Sequence, residues 1–437
     1  MSAVPLPRGD EHAVPLGRAV EDSRSPRMVR RLVQRHLVSE GWEVRGLAPV
    51  YSRYKGVDGG LVTYRVDVAQ RRGEARTSFV SVRTGPPSRL ESQAERFRDP
   101  SWAKRALPLQ PFHLDADTQL LLYAFPLDRG MRDLHRALRP KWIGRWLAEA
   151  PLSPPASTTP LLHRKSTVTV LSYRPERRAV LRLDAAFEGR AFGSDSFVLR
   201  MHADPRRARP AVVAGAALQV AGVAAPATLG MLRPDLSIER HCTGTPLPAT
   251  SIDNDVLMRA VGRHLARVHA VVPPTTLEVL DHSELHLRAL RCAQDLARVH
   301  VGLGAWAERC AMALLPAPPV GPRVLLHGDL HPGQVLVEGP RLLFVDWDRS
   351  CAGDPEYDLG VLAAHLFHGY GRRAERAFQA VTRGYRDGGG LLDEPRLHWH
   401  QAHALLRLVD TPHRSVRPDW PERTEWILTR LEEVARC

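Results

Sequence analysis

The chain has 437 residues, of which 43% are hydrophobic, which is enough for two or three domains with ordinary cores and excludes a disordered or fibrous protein. Its formal net charge is +13, but the basic residues are almost all scattered arginines without an aromatic-interleaved basic face, so we expect no nucleic-acid partner. Five widely spaced cysteines, no signal-peptide pattern and no apolar run of membrane-spanning length predict a cytoplasmic protein with reduced thiols, no membrane association and no obligate protein partner.

The start of the chain predicts a flexible arm followed by a helix. Residues 1–24 are rich in proline, glycine and charge. Ser25 and Pro26 are the residue types preferred at a helix N-cap and at the first helical position. They predict a helix that runs to about Glu40 and is ended by Gly41.

A β-rich unit follows this helix. Alternating apolar residues at 49–68, the apolar segment SFVSV at 78–82 and the segment TQLLLYAFPL at 118–127 predict strands. The segment LESQAERF at 90–97 predicts a short helix between them. We assign residues 25–149 to this unit.

The same order of elements returns after a linker. Residues 150–163 are rich in proline, serine and threonine and are typical of a linker. The hairpin at 166–187 is followed by SFVLRMH at 196–202, much as the first hairpin is followed by SFVSVRT at 78–84. This pattern favours a degenerate internal repeat of one β-rich unit. Two unrelated hairpins remain the alternative.

Helical periodicity dominates residues 247–437, with one polar hairpin, HGDLHPGQVLVEGPRLLFVDWD, at 327–348. Strand geometry brings the loop of this hairpin and Asp346 to the same edge. Phosphoryl transfer needs a carboxylate near the attacking hydroxyl and hard oxygen ligands for Mg²⁺. Asp329 has the properties of the base, and Gln334 and Asp346 have those of metal ligands.

Three motifs resemble those of the aminoglycoside phosphotransferase and choline-kinase-like family. They are H-G-D-L-H-P-G-Q at 327–334, F-V-D-W-D at 344–348 and D-P-E-Y-D-L at 354–359. The resemblance implies an α+β, two-lobed protein-kinase-like fold, here with an additional N-terminal β-rich cap-like unit. Residues 164–246 would form the N-lobe and residues 247–437 the helical C-lobe with the catalytic hairpin.

The resemblance also implies a role for each matching residue. Asp329 would be the catalytic base, Gln334 and Asp346 would bind Mg²⁺, and Asp348 would be a further ligand or hold a water molecule. Residues 237–241 would form the hinge, where Glu239 and His241 would bind the nucleotide. Arg200, Arg174 and Arg177 stand where the family has its phosphate-binding lysine and glycine-rich loop. A last group would support the site structurally, namely His327, His331, Asp354 and Asp358.

Several of these supporting residues have a simpler interpretation. Asp354 followed by Pro355 is typical of a helix N-cap with proline at the first position. Asp358 is expected to be a buried anchor of the catalytic loop, and His327 is expected to orient that loop through backbone carbonyls. For His331, contact with substrate and a structural role remain equal alternatives.

The sequence departs from the family pattern at the nucleotide site. Gln334 stands where most members have asparagine, as it does in maltokinase-like members. No lysine follows Lys165, so Arg200 takes the place of the lysine that binds the phosphates, and the helix after it contains no glutamate to pair with Arg200. Arginines replace the glycine-rich loop; Arg174 and Arg177 either bind phosphate or decorate an exposed turn.

The predicted function is a nucleotide-dependent, Mg²⁺-dependent small-molecule kinase that uses ATP or GTP. The acceptor is a hydroxyl of a sugar-like or antibiotic-like molecule, and the arginines and histidines of the C-terminal helices favour a neutral or anionic one. Trp399 and Trp420 either stack on this substrate or pack between helices. A catalytically silent pseudokinase that acts as a binding module remains as an alternative. A metallophosphoesterase, with a dinuclear metal site formed by residues 328–331 together with Asp346 and Asp348, is the other.

Overall fold

The computed structural model describes most of the chain, namely residues 20–54, 59–70, 73–99, 102–115, 117–153, 159–189, 195–315 and 317–435. The predicted arm lies outside the described residues except for 20–24, as does the centre of the predicted linker. The contacts divide the chain into two compact units. The first comprises the residues up to His135 together with Pro412–Trp420, and the second comprises Arg136–Thr411 and Pro421–Cys437.

The first unit is built on a five-stranded antiparallel sheet with the order β1-β2-β3-β5-β4. Its strands are β1 Trp42–Tyr54, β2 Gly60–Gln70, β3 Ala75–Arg83, β4 Phe112–Asp115 and β5 Leu120–Ala124. Its helices are α1 Pro26–Leu32, which continues as a π-helical turn over Val33–Leu37, α2 Pro87–Arg96 and α3 Ala103–Ala106. One face of the sheet and the inner faces of α1 and α2 form a single apolar core.

The start of α1 is as predicted, and its end is earlier than predicted. The Ser25 side chain accepts a hydrogen bond from the Met28 backbone N–H, and proline occupies the first helical turn. The helix ends at Leu37 rather than near residue 40, because Val38 is extended and forms a β-bridge with Leu109.

The segment Pro412–Trp420 completes the first unit from the far end of the chain. The Ser52 hydroxyl donates to the Arg414 carbonyl at 2.6 Å, and the Arg24 guanidinium donates to the His413 carbonyl at 2.8 Å. Val416 packs against the apolar core. No sequence pattern predicted this long-range assembly.

The second unit contains a sheet of the same topology. Its order is β6-β7-β8-β10-β9. With α4 Leu134–Ala137 and α5 Pro140–Glu149 preceding it, the sheet comprises β6 Thr167–Arg174, β7 Arg178–Ala185, β8 Asp195–His202, β9 Thr228–Arg233 and β10 Leu236–Arg240. In both sheets a helix, α2 or α6 Arg209–Val220, lies between the third strand and the last two. This shared order is what a degenerate repeat predicts.

Helix α5 belongs to the second unit, whereas the sequence placed residues up to 149 in the first. The Arg233 guanidinium of β9 lies 5.2 Å from the Trp146 ring centroid of α5. The Ser153 N–H donates to the Leu229 carbonyl at 3.1 Å. These contacts hold α5 and the start of the predicted linker against the second sheet.

The rest of the second unit is mainly helical. The strands beyond β10 are β11 Thr245–Pro246, β12 Val324–Leu326, β13 Val335–Glu338, β14 Arg341–Phe344 and β15 Cys351–Gly353. The described helices are α7 Asp255–His269, α8 His282–Ala297, α9 Val301–Ala313, α10 Glu356–Tyr370, α11 Arg373–Asp387, α12 Glu394–Leu406, α13 Thr411–Arg414, which crosses the unit division, and α14 Trp420–Ala435. Helix α10 is buried along most of its length and carries the third motif.

The predicted α+β fold class, with an additional β-rich unit at the N-terminus, is confirmed. Close packing in the helical part requires glycine at one point, because a Cβ added to Gly262 of α7 would lie 2.0 Å from the Val381 carbonyl oxygen of α11. Within the described residues, none of the helices combines the length and the apolar character needed to cross a bilayer.

Candidate active site

The polar hairpin joins β12 to β13 and β14 as the strand pattern predicts. The loop 327–334 follows β12, and Asp346 follows the end of β14. The Gln334 side-chain N–H donates to Asp346 Oδ2 at 3.0 Å. Asp346 has a positive φ of 70°, a conformation that aspartate tolerates better than most residues. The structure therefore brings the two predicted metal ligands together at one edge.

A single buried carboxylate holds the start of the catalytic loop. Asp358 of α10 is fully buried and accepts hydrogen bonds from the backbone N–H groups of His327, at 2.7 Å, and Gly328, at 2.9 Å. The His269 ring adds a contact at 3.3 Å to Asp358 Oδ2. The His327 Nε2 atom lies 2.9 Å from the Val345 carbonyl oxygen, so the loop is also tied to the segment before Asp346.

Glycine at position 328 is required by the backbone. Gly328 has φ of 82°, and an added Cβ would lie 2.0 Å from the Arg349 carbonyl oxygen. The Tyr357 hydroxyl donates weakly to the Gly328 carbonyl at 3.4 Å. Because the backbone turns at Gly328, the side chain of the next residue, Asp329, is partly exposed at the site.

Asp329 lies in a positively charged environment. Its side chain is 29% exposed, and its Oδ2 atom lies 3.5 Å from Arg349 Nε. Burial opposes ionisation, but the charges of Arg349 and Arg407 and the rings of His365 and His331 lower the pKa of Asp329 below its usual value. The carboxylate is therefore ionised at neutral pH and able to accept a hydrogen bond from a substrate hydroxyl.

Asp346 and Asp348 form a charge cluster with two arginines. Arg178 donates through Nη1 to both carboxylates and through Nη2 to Asp346 Oδ2 at 3.0 Å. Arg200 Nε lies 3.7 Å from an oxygen of each aspartate. Burial opposes ionisation of Asp346, but Arg178 and Arg200 hold the pKa of this carboxyl well below its usual range. The His202 Nε2 atom lies 3.3 Å from Asp348 Oδ2.

Arg200 has a carboxylate partner, although α6 offers none. Glu239 of β10 forms an ion pair with Arg200, and the two residues are 8% and 6% exposed. Strands β8 and β10 are neighbours in which Ser237 pairs with Arg200 and Glu239 with Val198, so both side chains project from the same face of the sheet. A buried guanidinium without such a partner would be strongly destabilising.

The side chains fit a divalent cation. The Gln334 amide contacts Asp346, and Asp346 and Asp348 share the Arg178 guanidinium, so one carboxamide and two carboxylates lie together. Carboxylate and amide oxygens are the hard ligands that Mg²⁺ prefers. Among the described residues, Asp348 Oδ1 is buried and has no hydrogen-bond partner. Arg178 supplies positive charge to both aspartates in this structure.

The remaining predicted nucleotide residues are distributed around this cluster. Burial lowers the pKa of His331, and Arg174 lies close enough to add to that effect. The Asp329 charge raises the pKa of Arg349, but burial and the charges of Arg407 and Arg177 lower it overall. The arginines of this turn therefore lie near the catalytic loop.

His241 is not brought to the cluster. Its N–H donates to the Ser196 carbonyl at 2.9 Å, and its ring lies near Arg182 and Asp184. Asp184 is six residues along β7 from Arg178, or about 20 Å in an extended strand. The expectation that His241 binds the nucleotide as part of the hinge stays a prediction.

Asp354 does not cap a helix, so the capping interpretation is wrong. Pro355 precedes α10 without a side-chain cap. The Asp354 carboxylate instead lies 2.8 Å from His282 Nε2 and 3.2 Å from His400 Nε2, and accepts from the Gly321 N–H at 2.9 Å. These contacts bind α8, α12 and the segment before β12 to one buried charge.

The two tryptophans differ in their environments. Trp399 is 6% exposed and its Nε1–H donates to the Leu314 carbonyl at 3.0 Å, so it packs between helices and does not stack on a substrate. Trp420 belongs to the first unit, where its ring centroid lies 4.9 Å from that of His413.

The sequence interpretation missed His202, Arg349 and His365 as residues of the site, and it gave Arg178 and Arg407 only a general role among the arginines near the substrates. Strand alternation was the available signal for Arg178. Ala179 and Leu181 of β7 are buried in the core, and Arg178 pairs in register with His202 on the opposite face. Arg349 and Arg407 carry no comparable local signal.

Known structures and families were compared with the chain. A choline/ethanolamine kinase family protein from Mesorhizobium loti is 20% identical, over 68% of this chain and 95% of that one, with a TM-score of 0.44. A macrolide 2'-phosphotransferase from Brachybacterium faecium is 24% identical, over 62% and 93% of the two chains, with a TM-score of 0.41. An amicoumacin kinase is 13% identical, over 61% and 88%, with a TM-score of 0.48.

No curated protein sequence matches the chain. Residues 188–400 match the sequence profile of the phosphotransferase enzyme family. This range contains Arg200, Asp346 and Asp348 of the charge cluster, the catalytic loop, all of α10 and the first seven residues of α12. The resemblance predicted from the three motifs is confirmed by this match of residues 188–400 to the phosphotransferase enzyme family.

Proposed function

We propose that this chain is a small-molecule kinase that transfers the γ-phosphoryl group of ATP or GTP to an alcohol group in the cytoplasm. The observation that carries the proposal is that the ionised carboxylate Asp329 lies on the same hairpin as Gln334, Asp346 and Asp348, with Gln334 hydrogen-bonded to Asp346. All four lie on a hairpin anchored by Asp358. The family match over the same residues supports this chemistry.

Asp329 acts as the base. An acceptor hydroxyl donates its hydrogen bond to the Asp329 carboxylate, which orients the oxygen toward the γ-phosphorus. As the new oxygen–phosphorus bond forms and the bond to the β–γ bridging oxygen breaks, the hydroxyl proton passes to an Asp329 oxygen. The bound nucleoside diphosphate leaves. Because such transfers proceed through a loose transition state, catalysis consists mainly of positioning and electrostatics.

Arg200 holds the phosphates in place of a lysine. Its charge is maintained by Glu239, and its buried Nε donor has no hydrogen-bond partner among the described residues. A phosphate oxygen would satisfy this donor. Mg²⁺, bound by Asp346, Asp348 and Gln334, would supply further neutralisation of the phosphate charge. Arg178 would then have to leave at least one aspartate.

The acceptor is neutral or anionic. Two arginines lie near Asp329, namely Arg349 at 3.5 Å and the half-buried Arg407, whose Nη1 donates to the Tyr357 hydroxyl at 2.6 Å. A polycationic acceptor would be repelled by these guanidinium groups. A sugar-like molecule with several hydroxyls fits the environment better.

The test is phosphoryl transfer from radiolabelled ATP or GTP to a panel of neutral and anionic polyols, with nucleotide binding measured by calorimetry. Asp329→Asn should abolish transfer and leave the nucleotide dissociation constant within about twofold. Asp387→Asn, an exposed aspartate at the end of α11, is the matched control and should leave both unchanged.

Other outcomes would reject the proposal. Nucleotide binding that does not depend on Mg²⁺ or on Asp346, together with no transfer to any acceptor, would favour the pseudokinase alternative. Hydrolysis of a phosphoester without nucleotide would favour the metallophosphoesterase. Equal loss of binding and transfer in Asp329→Asn would contradict the role given to this residue.

A further inference from the structure

The first unit contains a basic cleft that the proposed kinase chemistry does not use. Two neighbouring cavities, of about 450 and 370 Å³, share Gln93, Arg96 and Arg129 in their walls. We name them together the arginine cleft. Its charged side chains among the described residues are Arg83, Arg89, Arg96, Arg129, Arg132 and Asp128.

One wall of the arginine cleft follows from the end of β3 and the pattern of α2. Strand β3 ends at Arg83, and α2 begins four residues later. Leu90 and Ala94 of this helix are buried in the core. Arg89, Gln93 and Arg96 have the spacing of one helix face, so they line the cleft together.

The opposite wall is a turn held by its own aspartate. Asp128 Oδ1 accepts from the Gly130 N–H at 2.7 Å and from the Met131 N–H at 2.8 Å. These bonds fix the turn that presents Arg129. The described lining of the arginine cleft contains five arginines and one aspartate, so its formal charge is positive.

Two polar groups in this cleft have unmet bonding capacity. Gln93 is 5% exposed, and its Nε2 donor has no hydrogen-bond partner within the described part of the chain. A buried donor left unsatisfied costs about 1 to 3 kcal/mol, which a ligand oxygen would offset. Arg96 has no salt bridge to any described carboxylate, whereas Arg98, two residues on, pairs with Glu95 at 2.6 Å.

The smaller cavity adds an apolar surface. Phe97 and Trp102 line it next to Arg96 and Arg129. Arginines with an adjoining aromatic surface recognise an anion that carries an apolar or ring portion. The cavity volumes are in the range of small-molecule sites.

We propose that the arginine cleft is a binding site for a small organic phosphate. The phosphate group lies against Arg89, Arg96 and Arg129, and the apolar portion lies against Phe97 and Trp102. This site is separate from the active site, since all of its lining residues belong to the first unit.

The experiment uses the full chain and calorimetry at constant ionic strength, with phenyl phosphate as the probe and inorganic phosphate and phenol as comparisons. One molecule of phenyl phosphate should bind per cleft, more tightly than either comparison. Arg96→Gln and Arg129→Gln should each weaken binding at least tenfold. Arg98→Gln, which removes a paired arginine outside the cleft, should have no effect.

Two further variants locate the probe. Gln93→Met keeps the size of the side chain and removes the amide, so it should weaken binding without unfolding the protein, as checked by thermal melting. Asp346→Ala should leave phenyl phosphate binding intact. Binding lost in Asp346→Ala and kept in Arg96→Gln would place the probe in the second unit and overturn the proposal. Absence of binding, or an equal loss in Arg98→Gln, would overturn it as well.

Discussion

Replacing Arg178 by alanine should destabilise the metal-free protein and strengthen its Mg²⁺ binding. Arg178 donates to both Asp346 and Asp348, and its side chain is only 16% exposed. Without it, two adjacent carboxylates share the charge of Arg200, which is already paired with Glu239. The metal-free protein therefore loses the positive charge that stabilises Asp346 and Asp348. An incoming Mg²⁺ ion no longer has to displace the Arg178 guanidinium.

The magnitude follows from the burial of the Arg178 contacts. Removing one partner of a buried ion pair costs about 3 to 5 kcal/mol, and the partial exposure here favours the lower end, about 3 kcal/mol. For a unit of this size, about 2 to 4 °C in Tm per kcal/mol gives a decrease of about 6 to 12 °C. If half of this energy of about 3 kcal/mol, or about 1.5 kcal/mol, opposes Mg²⁺ binding in the wild type, the Arg178→Ala variant should bind Mg²⁺ about tenfold more tightly.

Thermal melting with and without Mg²⁺, and Mg²⁺ calorimetry, measure both effects. The matched control is Arg182→Ala on the same strand, because Arg182 is 38% exposed and its Nε lies 3.1 Å from Asp184. This control should leave Mg²⁺ binding unchanged and lower Tm only slightly. Mg²⁺ affinity that is unchanged or lower in Arg178→Ala would refute the competition between guanidinium and cation.

Three further predictions concern the scaffold of the site. Asp358→Asn should lower the free energy of unfolding by about 2 to 3 kcal/mol in urea titrations, because an amide cannot accept from both His327 and its neighbour while bearing an N–H₂ group of its own; an unchanged midpoint would contradict the anchor. Gly328→Ala should cost at least about 2 kcal/mol in the same assay, because the new Cβ meets the Arg349 carbonyl, and a stable variant would contradict that geometry. Burial lowers the pKa of His403 to about 3, so the unfolded chain binds more protons between pH about 3 and about 6.5, and Tm should fall as pH drops through that window. The fall should be smaller in His403→Gln, and equal slopes would contradict it.

The catalytic hairpin could be predicted because its information is local. Residues 327–334 and Asp346 are close in sequence, and alternation fixes which edge of the hairpin they share. The pairing of Arg200 with Glu239 could not be predicted in this way, since it depends on which strand lies beside β8 and in what register. Asp354 shows the opposite error. Its local sequence is typical of a helix cap, but its carboxylate contacts buried histidines of two helices that are distant in sequence.

The fold shows the same division between local and long-range information. Strands β1–β3, β5 and β6–β8 follow from alternation, whereas β4, β9 and β10 were not predicted. The common order of the two sheets is consistent with the two similar hairpins in the sequence. The membership of Pro412–Trp420 in the first unit has no pattern of its own. It depends on contacts with residues hundreds of positions away, such as Ser52 with the Arg414 carbonyl.

This assembly of the first unit has a consequence for synthesis on the ribosome. The strands of the first sheet are synthesised before the second unit, but the segment that accepts hydrogen bonds from Ser52 and Arg24 and places Val416 in the core follows residues 136–411. The first unit therefore reaches its full set of contacts only after most of the second unit has been translated. An N-terminal fragment that stops at His135 lacks these acceptors and keeps part of its core exposed to water.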